Sequence, residues 1–533
     1  MHSVAVVPIF VNAGAAVLPA VMAGAASFVA LLFKPKALLA ACRRRPWVPV
    51  VVVVGVGLAW AAGAWAFAGG STAQAAGGAV PAAAAYGPIH RDWAEVALDL
   101  LRREKAGKVV FGPTSAPAGS GGKPLGLGRD AGRCGFDGGP APLGLTLLWP
   151  YRPKDGVAYL SSPVVVGERV YGASFQPAGG SNYGTVFCLD ARTGKPLWQK
   201  DRIKSPDGLE EPLKPFFSSP ALSADGASLV IGQGLHTDED CSLLCFDAAT
   251  GEFRWRVETT LHIESSPAIH GDVAVVGAGA IEDRNHKPTS DPGFVLGVRV
   301  SDGKELWRAK VNDPESSPAV DDEGIAYVGS GFNGKKVVAL RVVSDEELKA
   351  KGLGREVWKV DAPYPVTGAI TLTADLVIVG AGNSDYVYTD PNPAGVVMAL
   401  DRKTGQARWQ TPMPDAVLGP IACRDGKLIC PVHNGEVVAL DLADGKPVWR
   451  QRVSGESPVL AGCAFTGKYV YAVSKDGYLA VLDAADGHVL EKTRLNEEGK
   501  PAEGLCFSTP TIAGGRLFVG TETGGLRCYA GTR

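Results

Sequence analysis

Two uncharged, strongly apolar stretches lie in the first seventy residues of the chain. Residues 3–33 contain no charged side chain, and a second uncharged stretch runs from Trp47 to Gly70. Each is long enough to cross the hydrocarbon core of a bilayer, which takes about 20 apolar residues. We therefore predict a membrane anchor over residues 1–70, formed by one transmembrane helix or by a helical hairpin with spans at about 3–33 and 47–68.

The loop between the two spans sets the predicted orientation. Lys34, Lys36 and three consecutive arginines lie in the loop 34–46, and residues 1–89 contain no acidic side chain. Basic loops stay in the cytoplasm, so we predict an inner-membrane protein whose chain after residue 70 lies on the periplasmic side. Two alternatives remain open, a cleaved signal peptide and lipidation at Cys42, which ends a Leu-Ala-Ala-Cys string.

A spacer follows the predicted anchor. Residues 71–146 are rich in Ala, Gly and Pro, a composition typical of linkers. Within them, apolar residues recur on one helical face over 91–106, which predicts a short amphipathic helix. We predict no regular structure in the rest of this linker.

From residue 147 onward the pattern changes to short alternating strands, typical of half-buried β-structure. One phrase recurs, a strand ending near Asp, a Gly turn and a strand bearing Trp, as in CLDARTGKPLW. The Trp positions, with a lone Trp in LTLLWP counted first, are Trp149, Trp198, Trp255, Trp307, Trp358, Trp409 and Trp449. The Gly residues of the predicted blade turns are Gly194, Gly251, Gly303, Gly354, Gly405, Gly445 and Gly487, the last in a copy with Glu491 at the Trp position.

A second phrase, Ser-Ser-Pro or a variant of it followed by an alternating strand, falls between the Trp phrases and has eight copies, four of which contain Ser-Ser-Pro itself. From Trp149 to Glu491 there are seven steps over 342 residues, or about 49 residues per repeat, the period of a propeller blade. The chain ends on a strand without a following Trp strand. We therefore predict an all-β, eight-bladed propeller over residues 147–533, with residues 147–149 supplying the outer strand that closes the last blade.

Composition and charge exclude several classes of protein. The chain has a net charge of −2, and the basic residues of the anchor leave the propeller acidic, so we predict no nucleic-acid partner. Ten cysteines in 533 residues, with no Cys-x-x-Cys motif, are not a disulfide scaffold and do not predict haem attachment or a zinc ribbon.

The repeated Ala-Leu-Asp-x-x-Thr-Gly-x-x-x-Trp phrase resembles the tryptophan-docking repeat of quinoprotein-type, or PQQ-like, β-propellers. The resemblance covers residues 147–533. It implies one of two kinds of protein: the PQQ-dependent alcohol and sugar dehydrogenases, or non-enzymatic PQQ-like propellers such as BamB, to which the chain is distantly similar.

The site residues that the dehydrogenase resemblance implies are missing. Those enzymes hold PQQ with an adjacent-cysteine disulfide and a calcium ion, and this sequence has no Cys-Cys dipeptide. The acidic clusters at 238–240 and 321–323, and Asn383 with Asp385, match no calcium pattern of the family. We therefore predict no catalytic residue, metal ligand or cofactor, with PQQ and calcium as the alternative.

Three glutamates are candidates for the mouth of the central channel. Glu264 and Glu315 each precede Ser-Ser-Pro, and Glu456 lies in the corresponding stretch of a later blade. If this phrase opens the innermost strand, their side chains approach the channel and could bind a cation or a basic partner. A solvated channel mouth is the alternative, and His236 with Cys241 and Cys245 is a second, partial metal-site candidate.

These patterns predict a membrane-anchored propeller that acts as a non-catalytic binding or scaffold module. The expected partners are the membrane and a protein of the cell envelope, by analogy in outer-membrane protein assembly. The alternatives are a PQQ-dependent quinoprotein dehydrogenase, and a sensor or carbohydrate-binding propeller.

Overall fold

The computed structural model of the protein describes residues 124–532, with gaps at 154–156, 179–180, 205–207, 237, 280–291, 456, 496–505 and 523. The predicted spans, the basic loop and the amphipathic helix 91–106 lie outside the described residues. Within those residues, no helix is both long and apolar enough to cross a membrane.

Eight four-stranded antiparallel sheets form the propeller, as predicted. We number the blades in chain order and give each from its inner to its outer strand. Blade 1 contains Val164–Val166, Arg169–Ala178, Ser181–Asp190 and Pro196–Lys200; blade 2 contains Ala221–Leu222, Ser228–Gly232, Ser242–Asp247 and Phe253–Glu258; blade 3 contains Ala268–His270, Val273–Ala278, Phe294–Arg299 and Glu305–Lys310; blade 4 contains Ala319–Val320, Ile325–Ser330, Lys336–Arg341 and Glu356–Asp361.

The second half of the ring repeats this order. Blade 5 contains Thr371–Leu372, Leu376–Gly382, Gly395–Asp401 and Ala407–Met413; blade 6 contains Ala422–Arg424, Lys427–Pro431, Glu436–Asp441 and Pro447–Arg452; blade 7 contains Ala464–Phe465, Tyr469–Val473, Tyr478–Asp483 and Val489–Arg494; blade 8 contains Thr511–Ala513, Arg516–Thr521, Gly525–Gly531 and, as its outer strand, Leu145–Tyr151. Two further elements interrupt the pattern, a hairpin of Arg202–Lys204 and Glu210–Pro212 and a short helix, Asp345–Lys351, in blade 4.

Antiparallel strand order divides the connections between two faces of the ring. The loops from second to third strand and the links from one blade to the next lie on one face, which we call the upper face. The turns from first to second and from third to fourth strand lie on the other, the lower face. Each inner strand therefore starts at the upper face and ends at the lower face.

Each of the seven predicted Trp residues bonds to the next blade through its indole N–H. The Nε1 atoms donate to backbone carbonyl oxygens at 2.8–3.2 Å, with the pairs Trp149–Ala191, Trp198–Ala248, Trp255–Val300, Trp307–Val342, Trp358–Arg402, Trp409–Leu442 and Trp449–Ala484. The indole, buried at six of these blade junctions and partly buried at Trp409, thus contributes both apolar area and a satisfied hydrogen bond to each of them.

Six of the predicted turn glycines lie directly against these rings. At Gly194, for example, φ is 72° and an added Cβ would lie 2.5 Å from the ring of Trp149. Gly354 is different: it has no positive φ, and a Cβ there would meet only a backbone oxygen at 4.0 Å. Its connection carries the extra helix of blade 4, and the Arg355 guanidinium stacks over the Trp307 ring at 4.4 Å instead.

At the junction of blades 7 and 8, a carboxylate takes the place of the indole found at the other seven junctions. The closing strand Leu145–Tyr151 pairs with Gly525–Gly531 in blade 8. Glu491, at the Trp position of blade 7, accepts the backbone N–H groups of Gly144 and Leu145 at 2.8 and 2.7 Å. Charge-assisted bonds of this kind are stronger than neutral ones, so Glu491 fixes the point where the closing strand begins.

Residues 124–137, expected to be part of the linker, belong to the propeller. Backbone bonds join this segment to the inner strands of blades 2, 5, 6, 7 and 8, at Leu222, Leu372, Cys423, Phe465 and Ile512. These positions are the second residues of their strands, toward the lower face. The segment therefore closes the lower mouth of the central channel, because the inner strands offer a circle of backbone groups that would otherwise lack partners.

Candidate functional site

The residue four positions before each inner strand enters the upper face of the channel, and we call it the entry residue. The strand starts define the set as Leu160, Phe217, Glu264, Glu315, Thr367, Leu418, Leu460 and Phe507. Glu264 and Glu315 thus occupy the predicted column. Glu456 itself lies outside the described residues, but the pairing of Ala464 with Tyr471 gives the column of blade 7 to Leu460. Glu456 lies four residues before Leu460 in the sequence.

A chain of hydroxyl groups links the blades just below the entry residues. In blades 8, 1, 2, 3 and 4, the second Ser or Thr of the phrase accepts a backbone N–H of the preceding blade at 2.9–3.0 Å, in the order Gly462–Thr509, Thr509–Ser162, Ser162–Ser219, Ser219–Ser266 and Ser266–Ser317. The repeated Ser-Ser-Pro phrase thus has a structural role. It aligns neighbouring inner strands and holds the entry residues in place.

Three aromatic rings meet in the centre of the upper face. Phe217 and Phe507 are entry residues of blades 2 and 8, and Tyr386 comes from the upper loop of blade 5. Their ring centroids lie 5.4–5.6 Å apart. Because the three blades are two, three and three steps apart around the ring, the side chains meet from three sides of the axis. We call this group the aromatic plug.

Two histidines and two glutamates form a cluster on the same face. His236 Nδ1 lies 3.1 Å from Glu315 Oε1 and 3.8 Å from Glu264 Oε1, and His262 Nε2 lies 3.3 Å from Glu315 Oε1. The side chain of His262 is 0% exposed, both glutamates are mostly buried, and His236 is 41% exposed. We call these four residues the His–Glu cluster.

Electrostatics connect the cluster to the plug. Burial alone would raise the pKa of Glu264, but the hydrogen bonds and charge of His236, with the charge of His262, hold it below its usual value. Burial raises the pKa of Tyr386 well above its usual value, and the nearby Glu315 and Glu264 raise it further. At neutral pH the phenol therefore stays protonated, and its hydroxyl donates to the Leu418 carbonyl at 3.3 Å.

The upper loop of blade 5 carries two exposed apolar side chains beside the plug. Val387 and Tyr388 are 68% and 73% exposed, although a buried network holds the base of the loop. Ser384 Oγ donates to Asp415 at 2.6 Å, and His433 Nδ1 lies 3.1 Å from the other oxygen of that carboxylate. Burial would raise the pKa of Asp415, but these bonds hold it below its usual value.

The Ser384, Asp415 and His433 network is not a hydrolytic triad. A nucleophilic serine needs a hydrogen bond to the histidine that accepts its proton. Here the serine donates to the carboxylate, and all three side chains are buried. The network therefore positions the loop that presents Val387 and Tyr388.

The described residues do not fit the PQQ and calcium pair that the dehydrogenase resemblance implies. A flat cofactor stacked between two rings needs them about 7 Å apart, twice the usual contact of about 3.5 Å, but the plug rings are 5.4–5.6 Å apart. The nine described cysteines are free thiols.

The acidic groups considered for calcium have other partners. Asp321 accepts from Tyr327 and pairs with Arg402 on the lower face. Asn383 and Asp385 accept backbone N–H groups of their own loop, and Asp238 accepts the N–H of Leu235. Among the described residues, six or more converging oxygens, which calcium requires, are not observed at these three places.

Three of the four residues of the His–Glu cluster were candidates from the sequence. Glu264, Glu315 and His236 were candidates on separate grounds, whereas His262 was not, and Cys241 and Cys245 are not close partners of His236. Cys245 lies in a core strand of blade 2. The missed signal is spacing: His262 is two residues before Glu264 in the same link, and the entry column also contains both phenylalanines of the plug.

Comparison with known proteins gives one family for most of the propeller. A family model described as outer membrane protein assembly factor BamB matches residues 182–344, 293–410 and 433–532. The chain is 24% identical over 399 residues to the outer membrane protein assembly factor BamB of Yersinia pestis, covering 73% of this chain and 89% of that protein.

Two further relatives show how widely the repeat is shared. The dehydrogenase subunit of the quinone alcohol dehydrogenase of Gluconobacter oxydans is 26% identical over 299 residues, or 51% of this chain and 34% of that protein. The crystal structure of BamB from Moraxella catarrhalis superposes with a TM-score of 0.52 at 15% identity, over 72% of this chain and 99% of that one. At this identity, the last likeness is one of fold.

Proposed function

Because the chain belongs to the family described as outer membrane protein assembly factor BamB, we propose that it is a membrane-anchored periplasmic propeller that binds a protein partner of the cell envelope. In this proposal the anchor is the apolar segment predicted over residues 1–70. By analogy with the family, the partner is a component of outer-membrane protein assembly.

One observation carries the proposal: exposed apolar side chains stand on a loop whose base is fixed by buried bonds. Val387 and Tyr388 offer aliphatic and aromatic surface without first losing much loop entropy, since the network of Ser384, Asp415 and His433 already orders the loop. Tyrosine on a preorganised surface is a frequent energetic centre of protein interfaces.

The dehydrogenase alternative has support from sequence relatives but not from the site. Quinone-dependent alcohol dehydrogenases match about half of this chain. The aromatic plug, however, fills the centre of the upper face, and the acidic groups have other partners. A binding role therefore uses the observed surface without rearrangement, whereas cofactor binding needs the three rings to separate.

Site-specific photocrosslinking tests the binding role. A photoreactive amino acid at position 388, in the full chain in its native membrane, is expected to give a crosslinked product containing an outer-membrane assembly protein, identified by mass spectrometry. Val387→Asp in the same chain should reduce the yield at least about tenfold, because a buried charge at an interface centre costs more than about 1.4 kcal/mol.

Position 448 provides the matched control. Val448 is 46% exposed on the outer strand of blade 6, away from the upper loops. The same photoreactive residue there should give no such product, and Val448→Asp should leave crosslinking from position 388 unchanged. Equal yields from positions 388 and 448, or no protein adduct at 388, would contradict the proposed face.

A further inference from the structure

We propose that the His–Glu cluster is a binding site for a divalent transition-metal cation of the zinc class. The ligands are His236 Nδ1, His262 Nε2 and a Glu264 oxygen, with Glu315 in the fourth position. This inference is independent of the partner-binding role, because it concerns four side chains and no surface contact.

Three nitrogen–oxygen spacings in the cluster are compatible with tetrahedral coordination. Zinc bonds to nitrogen and carboxylate oxygen are about 2.0–2.1 Å long, so ligand atoms around a tetrahedral ion lie roughly 3.3–3.4 Å apart. The three measured nitrogen–oxygen distances in the cluster are 3.1, 3.3 and 3.8 Å. One donor atom from each of His236, His262 and Glu264 lies within 4.8 Å of the others.

The donor types select the class of cation. Two imidazoles with two carboxylates suit zinc and similar first-row metals, whereas magnesium and calcium favour sites made of oxygen alone. With a metal bound, two glutamate carboxylates and two neutral imidazole ligands would together carry a charge of −2, which a divalent cation neutralises. His262 and the two glutamates are largely removed from solvent.

The fold presents the four groups before any metal binds. The backbone N–H of His236 donates to Glu264 Oε1 at 2.8 Å, which fixes loop and carboxylate together. At Gly279 an added Cβ would lie 2.7 Å from His262 Nε2, so glycine leaves room for the imidazole. The partly exposed His236 ring lies on the solvent side and gives an ion a route into the site.

A bound cation would join three blades. His236 comes from the upper loop of blade 2, His262 and Glu264 come from the link between blades 2 and 3, and Glu315 comes from the link between blades 3 and 4. The expected consequence is a local cross-link on the upper face, beside the aromatic plug. Metal binding should therefore raise the melting temperature of the propeller.

Calorimetry with zinc alone tests the site. The full chain in detergent, without a polyhistidine tag and after removal of metals by a chelator, is expected to bind one zinc ion per chain. His236→Ala should weaken binding more than about 100-fold, since even the partners of metal ligands contribute about 10–100-fold. Glu264→Gln should weaken it as well while preserving side-chain shape.

Two controls keep the result interpretable. His488→Ala removes an exposed histidine of the lower face and should leave zinc affinity unchanged. Cobalt in place of zinc should give the intense visible absorption of a four-coordinate ion in the unmodified chain, and should lose it in His236→Ala. Circular dichroism and melting of the metal-free variants confirm that they are folded.

Three outcomes would overturn the proposal. They are no heat of zinc binding to the unmodified chain, an unchanged affinity in a folded His236→Ala variant, and a cobalt spectrum typical of six-coordinate solvated ion. None of these outcomes bears on photocrosslinking at position 388, so the two proposals fail separately.

Discussion

Trp149→Ala is expected to lower the free energy of unfolding by about 3–5 kcal/mol, the usual cost of removing a buried tryptophan. Trp149 is almost fully buried, packs against Phe518 with ring centroids 6.0 Å apart, and donates to the Ala191 carbonyl at 3.2 Å. It also lies on the strand that closes the ring, so its loss weakens the junction of blades 8 and 1 and the closure together. Urea denaturation of the full chain, followed by tryptophan fluorescence, measures the effect.

Two variants separate the parts of this contribution. Trp149→Phe keeps an aromatic ring but loses the N–H, and should cost about 1 kcal/mol beyond repacking. Leu197→Ala, at a half-exposed position on the outer strand of blade 1, should stay within about 0.5 kcal/mol of the unmodified chain. If Trp149→Ala also stayed in that range, the indole junctions would not hold the ring together.

Arg133→Met should destabilise the propeller by about 3 kcal/mol or more, because each buried carbonyl left without a donor costs about 1–3 kcal/mol. Its guanidinium, buried inside the ring, donates to the carbonyls of Ile370, Leu127 and Pro318 at 3.0, 2.6 and 2.7 Å. Burial lowers the pKa of Arg133 to about 10, so the side chain still carries its charge at neutral pH. The measurement is the urea midpoint at constant slope.

Arg129 provides the control for Arg133 in the same segment. It is only partly buried and donates to the Val165 carbonyl at 3.2 Å, so Arg129→Met should cost about 1 kcal/mol. Arg133→Lys should recover little of the lost stability, because an ammonium cannot reach the three carbonyls with the geometry of the guanidinium fork. Equal effects of Arg129→Met and Arg133→Met would mean that the segment 124–137 does not depend on this buried anchor.

The number of blades could be predicted from the sequence because each blade repeats the same set of contacts. A turn glycine, an indole and a carbonyl recur at fixed spacing, so one phrase predicts a junction and its copies predict the ring. Closure by the strand around Trp149 followed from the count of strands. The prediction of an all-β, eight-bladed propeller is confirmed.

Features that depend on contacts made only once in the chain could not be predicted from the repeats. Residues 124–137 have a linker-like composition, and their bonds reach strands up to several hundred residues away. Tyr386 joins the aromatic plug from the upper loop of one blade only. His262 belongs to the His–Glu cluster because Glu315, in the next link, lies 3.3 Å from its Nε2 atom. The Ser-Pro dipeptide after Glu456 resembles the repeated phrase, whereas the strand register places the inner strand of blade 7 further along the chain, with Leu460 in the entry column.

Under the proposed function, this propeller binds a protein partner and does not use a quinone cofactor. Calorimetric titration of the full chain with PQQ and calcium, followed by dye-linked oxidation of simple alcohols and sugars, tests it most directly. No saturable heat and no turnover are expected, because the rings of Phe217, Tyr386 and Phe507 fill the centre of the upper face. Tight binding with turnover would contradict it and would require those three rings to move apart.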